Sequence, residues 1–220
     1  MASSIEWPLS TSWRWTERAQ VSVATPPAER MTDADAAALA QLSEAALVDA
    51  CLAGRAGAFD LIVERHRRPI YQLCYRFVGN HEDASDLSQD VFLRAFRGLR
   101  SFRGGSSLGT WLYRIGVNVC LNRVGASTTL DRATASVDDH PLTDDRSDSP
   151  SDLILRKERA GFVRAAIAQL PRKQRATLIL RTYHEMTHQE IADVLGTSVG
   201  AVKANFFHAL GNLKKLLGDM

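Results

Sequence analysis

The sequence is poor in cysteine, and the few it has are badly placed for a shared task. Cys51, Cys74 and Cys120 are odd in number, far apart and set among apolar neighbours. Neither a disulfide framework nor a metal knuckle is indicated, and all three are expected as reduced core residues. Long apolar runs are missing as well. No stretch reaches the roughly 20 residues needed to cross a bilayer, and the opening residues, with Glu6, Arg14, Glu17 and Arg18, lack the apolar segment of a secretory leader. The expectation is a cytoplasmic protein with no direct membrane insertion. Net charge is nearly absent too, at +2 over 220 residues, so any nucleic-acid partner must be sensed through local clustering of charge.

That clustering is present. Between Asp131 and Asp152 seven aspartates, Asp131, Asp138, Asp139, Asp144, Asp145, Asp148 and Asp152, face only Arg132 and Arg146. Beyond it the balance turns basic, through Arg156, Lys157, Arg159, Arg164, Arg172, Lys173, Arg175, Arg181, Lys203, Lys214 and Lys215. With 45% hydrophobic and 24% charged residues, the chain has material for one sizeable core or two small ones.

Apolar spacing is helical throughout, and no segment alternates as a strand does. Residues 1–41 carry Ser, Thr and Pro clusters and three Trp without helical spacing, and read as a disordered extension. Residues 42–124 hold four helices. Ser43 caps the first, which carries Leu47, Cys51 and Leu52 and stops at Gly54. The second presents Phe59, Ile62, Val63, Ile70, Leu73 and Phe77, and Pro69 inside it predicts a kink or break, since an interior proline costs about 3 kcal/mol. The third runs from about Glu82 to Leu99 with Leu87, Val91, Ala95 and Leu99 inward. The fourth runs from about Ser107 to Val124 with Leu108, Trp111, Leu112, Ile115 and Val119 inward. Residues 125–150, rich in Ser, Thr, Asp and Pro, form a flexible acidic linker. Residues 151–220 hold a helix capped by Ser151, another opened by Pro171, and two more. The fold class is all-α, with two small helical domains on a tether.

The last two helices have the form of a helix-turn-helix. Thr187-His188-Gln189-Glu190 is a capping box, Ile191, Ala192 and Leu195 face inward, and Gly196 suits the turn. Ser198 caps the next helix, whose apolar stripe is Val199, Val202, Phe206, Ala209, Leu213 and Leu217. Its other face begins with Lys203, Ala204, Asn205, Phe207 and His208. The second helix of such a pair lies in the major groove, where lysines meet phosphates and Asn205 suits a bidentate contact to adenine. The bland reading is a solvated helix face. A rival motif overlaps, because His184-Glu185-Met186-Thr187-His188 matches the HExxH pattern of zinc hydrolases. That chemistry needs both histidines on one continuous helix, and a cap at Thr187 breaks it between them. No catalytic residue, metal or cofactor is expected.

The stretches DASDLSQDVFLRAFR (from Asp83) and SFRGGSSLGTWLYRIGVNVCLNRV (from Ser101) resemble region 2 of the sigma-70 family in its extracytoplasmic-function subgroup. The stretch LPRKQRATLILRTYHEMTHQEIADVLGTSVGAVKANFFHALGNL (from Leu170) resembles region 4. The resemblance implies a sigma region 2 helical bundle and a sigma region 4 helix-turn-helix. It implies a non-enzymatic factor that binds core RNA polymerase through its beta-prime and beta subunits and directs initiation at promoter DNA. An anti-sigma factor that holds it inactive is implied by the same analogy. Carried over by position, Asp86, Gln89 and Asp90 bind the polymerase clamp. Arg103, Ser106, Ser107, Leu108, Thr110, Trp111, Arg114, Asn118 and Asn122 read the melted minus-10 strand and hold an extruded base. Ser198, Lys203, Ala204, Asn205, Phe207 and His208 read the minus-35 duplex. The acidic linker takes the place of the longer middle domain of housekeeping relatives, near the path of nascent RNA. Two departures stand out: no acidic residue lies near Gly105, and the arginines that relatives carry near Asn205, His208 and Leu210 are missing, which predicts weaker phosphate contact. The alternative is a helix-turn-helix regulator that acts without core polymerase, and the remote one is the zinc hydrolase.

Overall fold

The computed structural model describes the backbone of residues 38–127 and 150–218. The N-terminal extension and most of the acidic linker lie outside the described residues. Among the described residues the regular structure is helical, with eight longer helices. These are α1 (Glu44–Leu52), α2 (Ala58–Val78), α3 (His81–Gly98), α4 (Leu108–Ser127), α5 (Pro150–Gln169), α6 (Arg172–Tyr183), α7 (His188–Leu195) and α8 (Val199–Gly218). A single 3-10 turn, Leu99–Ser101, extends α3.

Local chemistry sets most boundaries. The Ser43 hydroxyl accepts the amide of Ala46 to start α1, and the Asn80 side chain accepts the amide of Asp83 to start α3, each satisfying an amide that lacks a partner in a helix's first turn. Gly79 ends α2 with φ 83°, the left-handed conformation that a side chain would strain. The helix α5 starts at Pro150, one residue ahead of the Ser151 cap read from sequence, and proline is well suited to a first turn because its missing N–H has no helical acceptor there. The helix α4 runs past Gly125 to Ser127.

Pro69 does not break α2, which is continuous on both sides of it. Proline removes the bond to the Arg65 carbonyl, on a face where Arg65 and Arg68 are exposed and water can replace the lost donor. Ile62, Ile70, Leu73 and Phe77, all buried, clamp the helix on either side of the proline. Each such side chain stabilises by about 1.5–3 kcal/mol, enough together to outweigh the local cost.

The helices α2, α3 and α4 pack mutually, with α1 against α2. Leu47, Leu73, Leu87, Val91, Ala95, Leu99, Leu108, Leu112 and Val119 fill the space between them. Leu52, placed inward by its spacing, is instead exposed, at the last residue of α1. In the second block α8 packs on α5, α6 and α7, over Leu178, Ile179, Leu180, Ile191, Val202 and Ala209. The two blocks also touch: α4 packs on α7 and α2 on α6, and their buried residues form one continuous cluster. Cys74 and Cys120 are buried in it and Cys51 is half-buried, all three as free thiols. A hydrogen bond with Cys74 and, second to it, burial push the Cys120 thiol far up, the state of an inert core residue.

Candidate nucleic-acid and polymerase interfaces

Three sets of residues were singled out by sequence, and most of their members are at least partly exposed. On α3, Asp86 and Gln89 are exposed one turn apart. Asp90 is half-exposed and already paired, since the Arg94 guanidinium donates to both of its oxygens at 3.0 Å. That pair is within one helix and solvent-exposed, so it is weak enough to exchange for another partner. Nearby Asp83 is tied more firmly. Asn80 and Arg123 donate to its carboxylate at 2.8 and 2.7 Å, and these hydrogen bonds hold its pKa below the usual carboxylate range, with Asn80 the largest cause.

The second set spans the loop 102–107 and α4. Arg103, Arg114, Asn118 and Asn122 are exposed, while Ser106, Thr110 and Trp111 are half-buried. Ser107 begins the helix: its hydroxyl accepts the Thr110 amide at 3.0 Å and shares a hydrogen bond with the Thr110 hydroxyl at 2.8 Å. Gly104 holds φ 69°, so the loop turns on a glycine that a larger residue would strain. Leu108 departs from its expected role. It is 3% exposed and anchors the loop to the core instead of facing a strand, as the alternation of a helix's first turn demands. Trp111 packs on Phe102, with ring centroids 5.3 Å apart. Trp111, with Arg94, Ser101, Ile115 and Asn118, lines an open groove of about 330 Å³.

The third set is on α8. The corner before it is built as the sequence predicts, with Thr187 and Glu190 forming a reciprocal capping box at 3.2 and 2.7 Å. These bonds draw the Glu190 pKa down. Gly196 turns the chain at φ 60°, and the Ser198 hydroxyl accepts the Ala201 amide at 3.2 Å. Ser198 is thus occupied as a cap. Lys203, Ala204, Phe207 and His208 are exposed, and Asn205 is half-buried. Phe207 is 74% exposed, which is unusual for phenylalanine and gives this face an apolar character suited to the methyl group of thymine.

The HExxH pattern has no metal geometry. The helix α6 ends at Tyr183, α7 begins at His188, and the intervening Glu185 is left-handed at φ 53°. Among the described residues no group of three His, Cys, Asp or Glu is arranged to hold an ion. His184 is instead turned inward, sharing a 2.9 Å hydrogen bond with the Tyr113 hydroxyl. Burial, and secondly Arg76, push its pKa down from 6.5 to about 4.

Sequence reasoning did not find the residues between the two blocks. Arg175, counted there with the basic surface, is 6% exposed. Its guanidinium donates to the carbonyls of Phe77 and Ala168. Arg76 stacks over the Tyr183 ring at 4.1 Å. Arg114 donates to the Asp193 carbonyl, and Arg172 to Asn122 at 3.4 Å. The available signal was that Arg175 shares a helical face with Leu178 and Ile179.

Comparison with known proteins gives this arrangement its class. Residues 62–128 match the model for Sigma-70 region 2, and residues 163–213 match that for Sigma-70, region 4. The RNA polymerase sigma-H factor of Pseudomonas aeruginosa is 35% identical over 187 residues, covering 81% of this chain and 96% of that protein. The ECF RNA polymerase sigma factor SigW of Bacillus subtilis is 32% identical over 76% of this chain and 92% of its own length. The ECF RNA polymerase sigma-E factor of Escherichia coli is 33% identical, with 77% and 91% covered. Among solved structures, CnrH in complex with the cytosolic domain of CnrY shares the fold at a TM-score of 0.59 and 24% identity, over 80% of this chain and 97% of that one. The sigma factor RpoE, solved with the anti-sigma factor NepR from Bartonella quintana, does so at 0.54 and 23%, over 74% and 98%. The chain belongs to the sigma-70 family, within its extracytoplasmic-function subgroup.

Proposed function

We propose that this sigma factor binds core RNA polymerase and directs promoter-specific initiation through three separate surfaces, and that its work is binding and strand capture without bond-making. Residues 42–124 act as region 2 and residues 151–220 as region 4, with 125–150 as the tether and 1–41 as an extension. Asp86, Gln89 and Asp90 engage the polymerase clamp. The loop from Arg103 and the exposed side of α4 take the melted minus-10 strand. Amides of Asn118 and Asn122 suit base edges, Arg103 and Arg114 suit phosphates, and the groove beside Trp111 suits an extruded base. On α8, Lys203 meets phosphate while Asn205, Phe207 and His208 face bases of the minus-35 duplex. A cytoplasmic site of action and control by an anti-sigma protein belong to this reading. They are supported by relatives named as ECF sigma factors and by the fold shared with the sigma factor RpoE, which was solved with an anti-sigma factor. Among the described residues no helix is long and apolar enough to cross a membrane.

The observation that carries the proposal is the order of the two matched blocks on one chain, with exposed polar residues on α3, α4 and α8. Run-off transcription with purified core polymerase on a genomic fragment library tests it. Discrete starts preceded by a shared two-part motif are expected, and an absence of starts overturns it. A plain helix-turn-helix regulator would bind duplex DNA and start nothing. On a promoter found this way, Lys203→Ala is expected to weaken binding and to reduce the slope of log affinity against log salt by about 0.9, one counterion's worth. An identical slope removes the phosphate role from Lys203.

A further inference from the structure

The seam between the two blocks is made mainly by α4 with α7 and by α2 with α6. On α8 a different kind of surface is left exposed. Lys203, Phe207, Leu210 and Lys214 all face solvent, and their spacing of four, three and four residues sets them in one straight stripe along the helix. At 1.5 Å per residue the stripe spans about 16 Å. Its ends are cations and its middle is apolar, with Phe207 the most exposed large apolar side chain among the described residues. Ala204, also exposed, adds a methyl beside it.

The stripe is firmly held. Val202 and Ala209 are buried beneath it, the Asn212 amide donates to the Gln174 side chain of α6 at 2.8 Å, and the His208 ring meets Phe207 edge-on with centroids 5.8 Å apart. A partner that covers Phe207 and Leu210 gains the free energy of apolar burial with little further ordering of this helix.

Charge identifies the partner. From Val199 to Gly218 there is no Asp, Glu or Arg, and Lys203, Lys214 and Lys215 are the charged residues. Lysines at both ends of an apolar middle suit a polyanion whose apolar groups lie between two rows of phosphates. The major groove of duplex DNA, about 12 Å wide, has that form, and the apolar group on its floor is the thymine methyl. A stripe of about 16 Å lets one lysine reach each rim while Phe207 and Leu210 lie over the floor. Guanine is read most often by an Arg or Lys that reaches O6 and N7 together. Here no arginine is present, and the stripe's lysines are drawn to the rims.

We infer that this chain selects its minus-35 duplex by thymine methyl groups, through Phe207 and Leu210, with Lys203 and Lys214 fixing α8 on the two backbones. This rests on the assignment of α8 to that duplex. Leu210 joins the reading set, and both apolar side chains discriminate by excluding water from a methyl group, with no hydrogen bond of their own.

The test uses the full chain and a duplex pool with about 12 randomised base pairs, a little over one helical turn. Bound members are selected, sequenced and remade with deoxyuridine for thymidine, which removes the methyl and keeps every hydrogen-bonding group. Fluorescence anisotropy compares the two forms. The wild-type chain is expected to bind the uracil form roughly fourfold more weakly for each contacted methyl, the value of one buried carbon. Phe207→Ala and Leu210→Ala should each lose part of that difference, with helicity by circular dichroism unchanged because both side chains are exposed. Lys214→Ala should weaken both forms equally and lower the salt slope. Equal wild-type affinity for the two forms overturns the inference and leaves α8 as a duplex reader. A uracil penalty untouched by either apolar variant overturns it as well. If no sequence is enriched from the pool, α8 loses its duplex role and the inference falls with it. Sedimentation covers the remaining occupant: a wild-type dimer that Phe207→Ala dissociates, in a chain without thymine preference, assigns the stripe to a second copy and also overturns the inference.

Discussion

The two helical blocks differ in how each is completed. In region 2, α2, α3 and α4 enclose their own buried core, from Ile62 and Leu73 to Val91 and Leu112. In region 4 the core is smaller, and exposed apolar residues remain on both blocks, Leu52 and Phe96 on region 2 and Phe162, Phe207 and Leu210 on region 4. Region 4 also lends region 2 a buried cation and receives in return a helix end to hold it. The lesson is that a short helix-turn-helix block can obtain part of its order from a neighbour and still leave the Lys203–His208 face of α8 bare.

The strongest way to break this comparison is through the seam's own side of region 2. Phe77→Ala removes a fully buried ring beside the carbonyl that Arg175 uses, and a loss of about 3–5 kcal/mol is expected. Urea unfolding followed by circular dichroism should show one transition shifted as a whole. A residual transition at the wild-type midpoint would mean that region 4 stands alone. Next in size, Asp86→Arg is expected to weaken binding to core polymerase by about tenfold or more, which is at least about 1.4 kcal/mol, with unfolding unchanged because the residue is exposed. Unaltered affinity would take the clamp contact away from α3. Thr187→Ala, confined to region 4, should cost about 1 kcal/mol through its lost cap, measured by the same unfolding curve.

The smallest effect sharpens the comparison by pH. His184 is faced by Tyr113 of α4 and Arg76 of α2, and its pKa is depressed to about 4 where it lies. Well above pH 6.5 it is neutral whether the blocks are together or apart, so its protonation biases neither form. As pH falls from 6.5 toward 4, only the separated form accepts the proton readily, so the closed form loses ground. Scattering between pH 7 and 5 should show gradual expansion, and His184→Phe should flatten that dependence. Equal curves for both proteins would exclude His184 as its source.

Sequence reached the features that are local. Ser43, the Thr187–Glu190 box, Gly196 and the cap at Ser198 each act within four residues, and each is in place. The helical class followed from spacing alone. The seam did not, because its partners are far apart in the chain: Arg175 and Phe77 are 98 residues apart, and Tyr113 and His184 are 71 apart. Pairings of that kind leave no periodic trace, and an arginine in a basic stretch looks solvated until its helix is docked. Pro69 and Leu108 show the same limit from the other side, where tertiary packing overrules a local rule in one case and a positional analogy in the other.

The corner between α6 and α7 spans only His184 to Thr187, yet it is fastened at several points. The Met186 amide donates to the Leu180 carbonyl, Arg181 reaches the Met186 carbonyl at 2.8 Å, and Met186 itself is buried. So many ties on so short a span leave it no slack, and Glu185 is held at a positive φ as a result. Its tolerance is therefore for identity more than for length. A glycine at 185 would sit there comfortably, whereas one added residue would swing α7 out of alignment with the block that carries it.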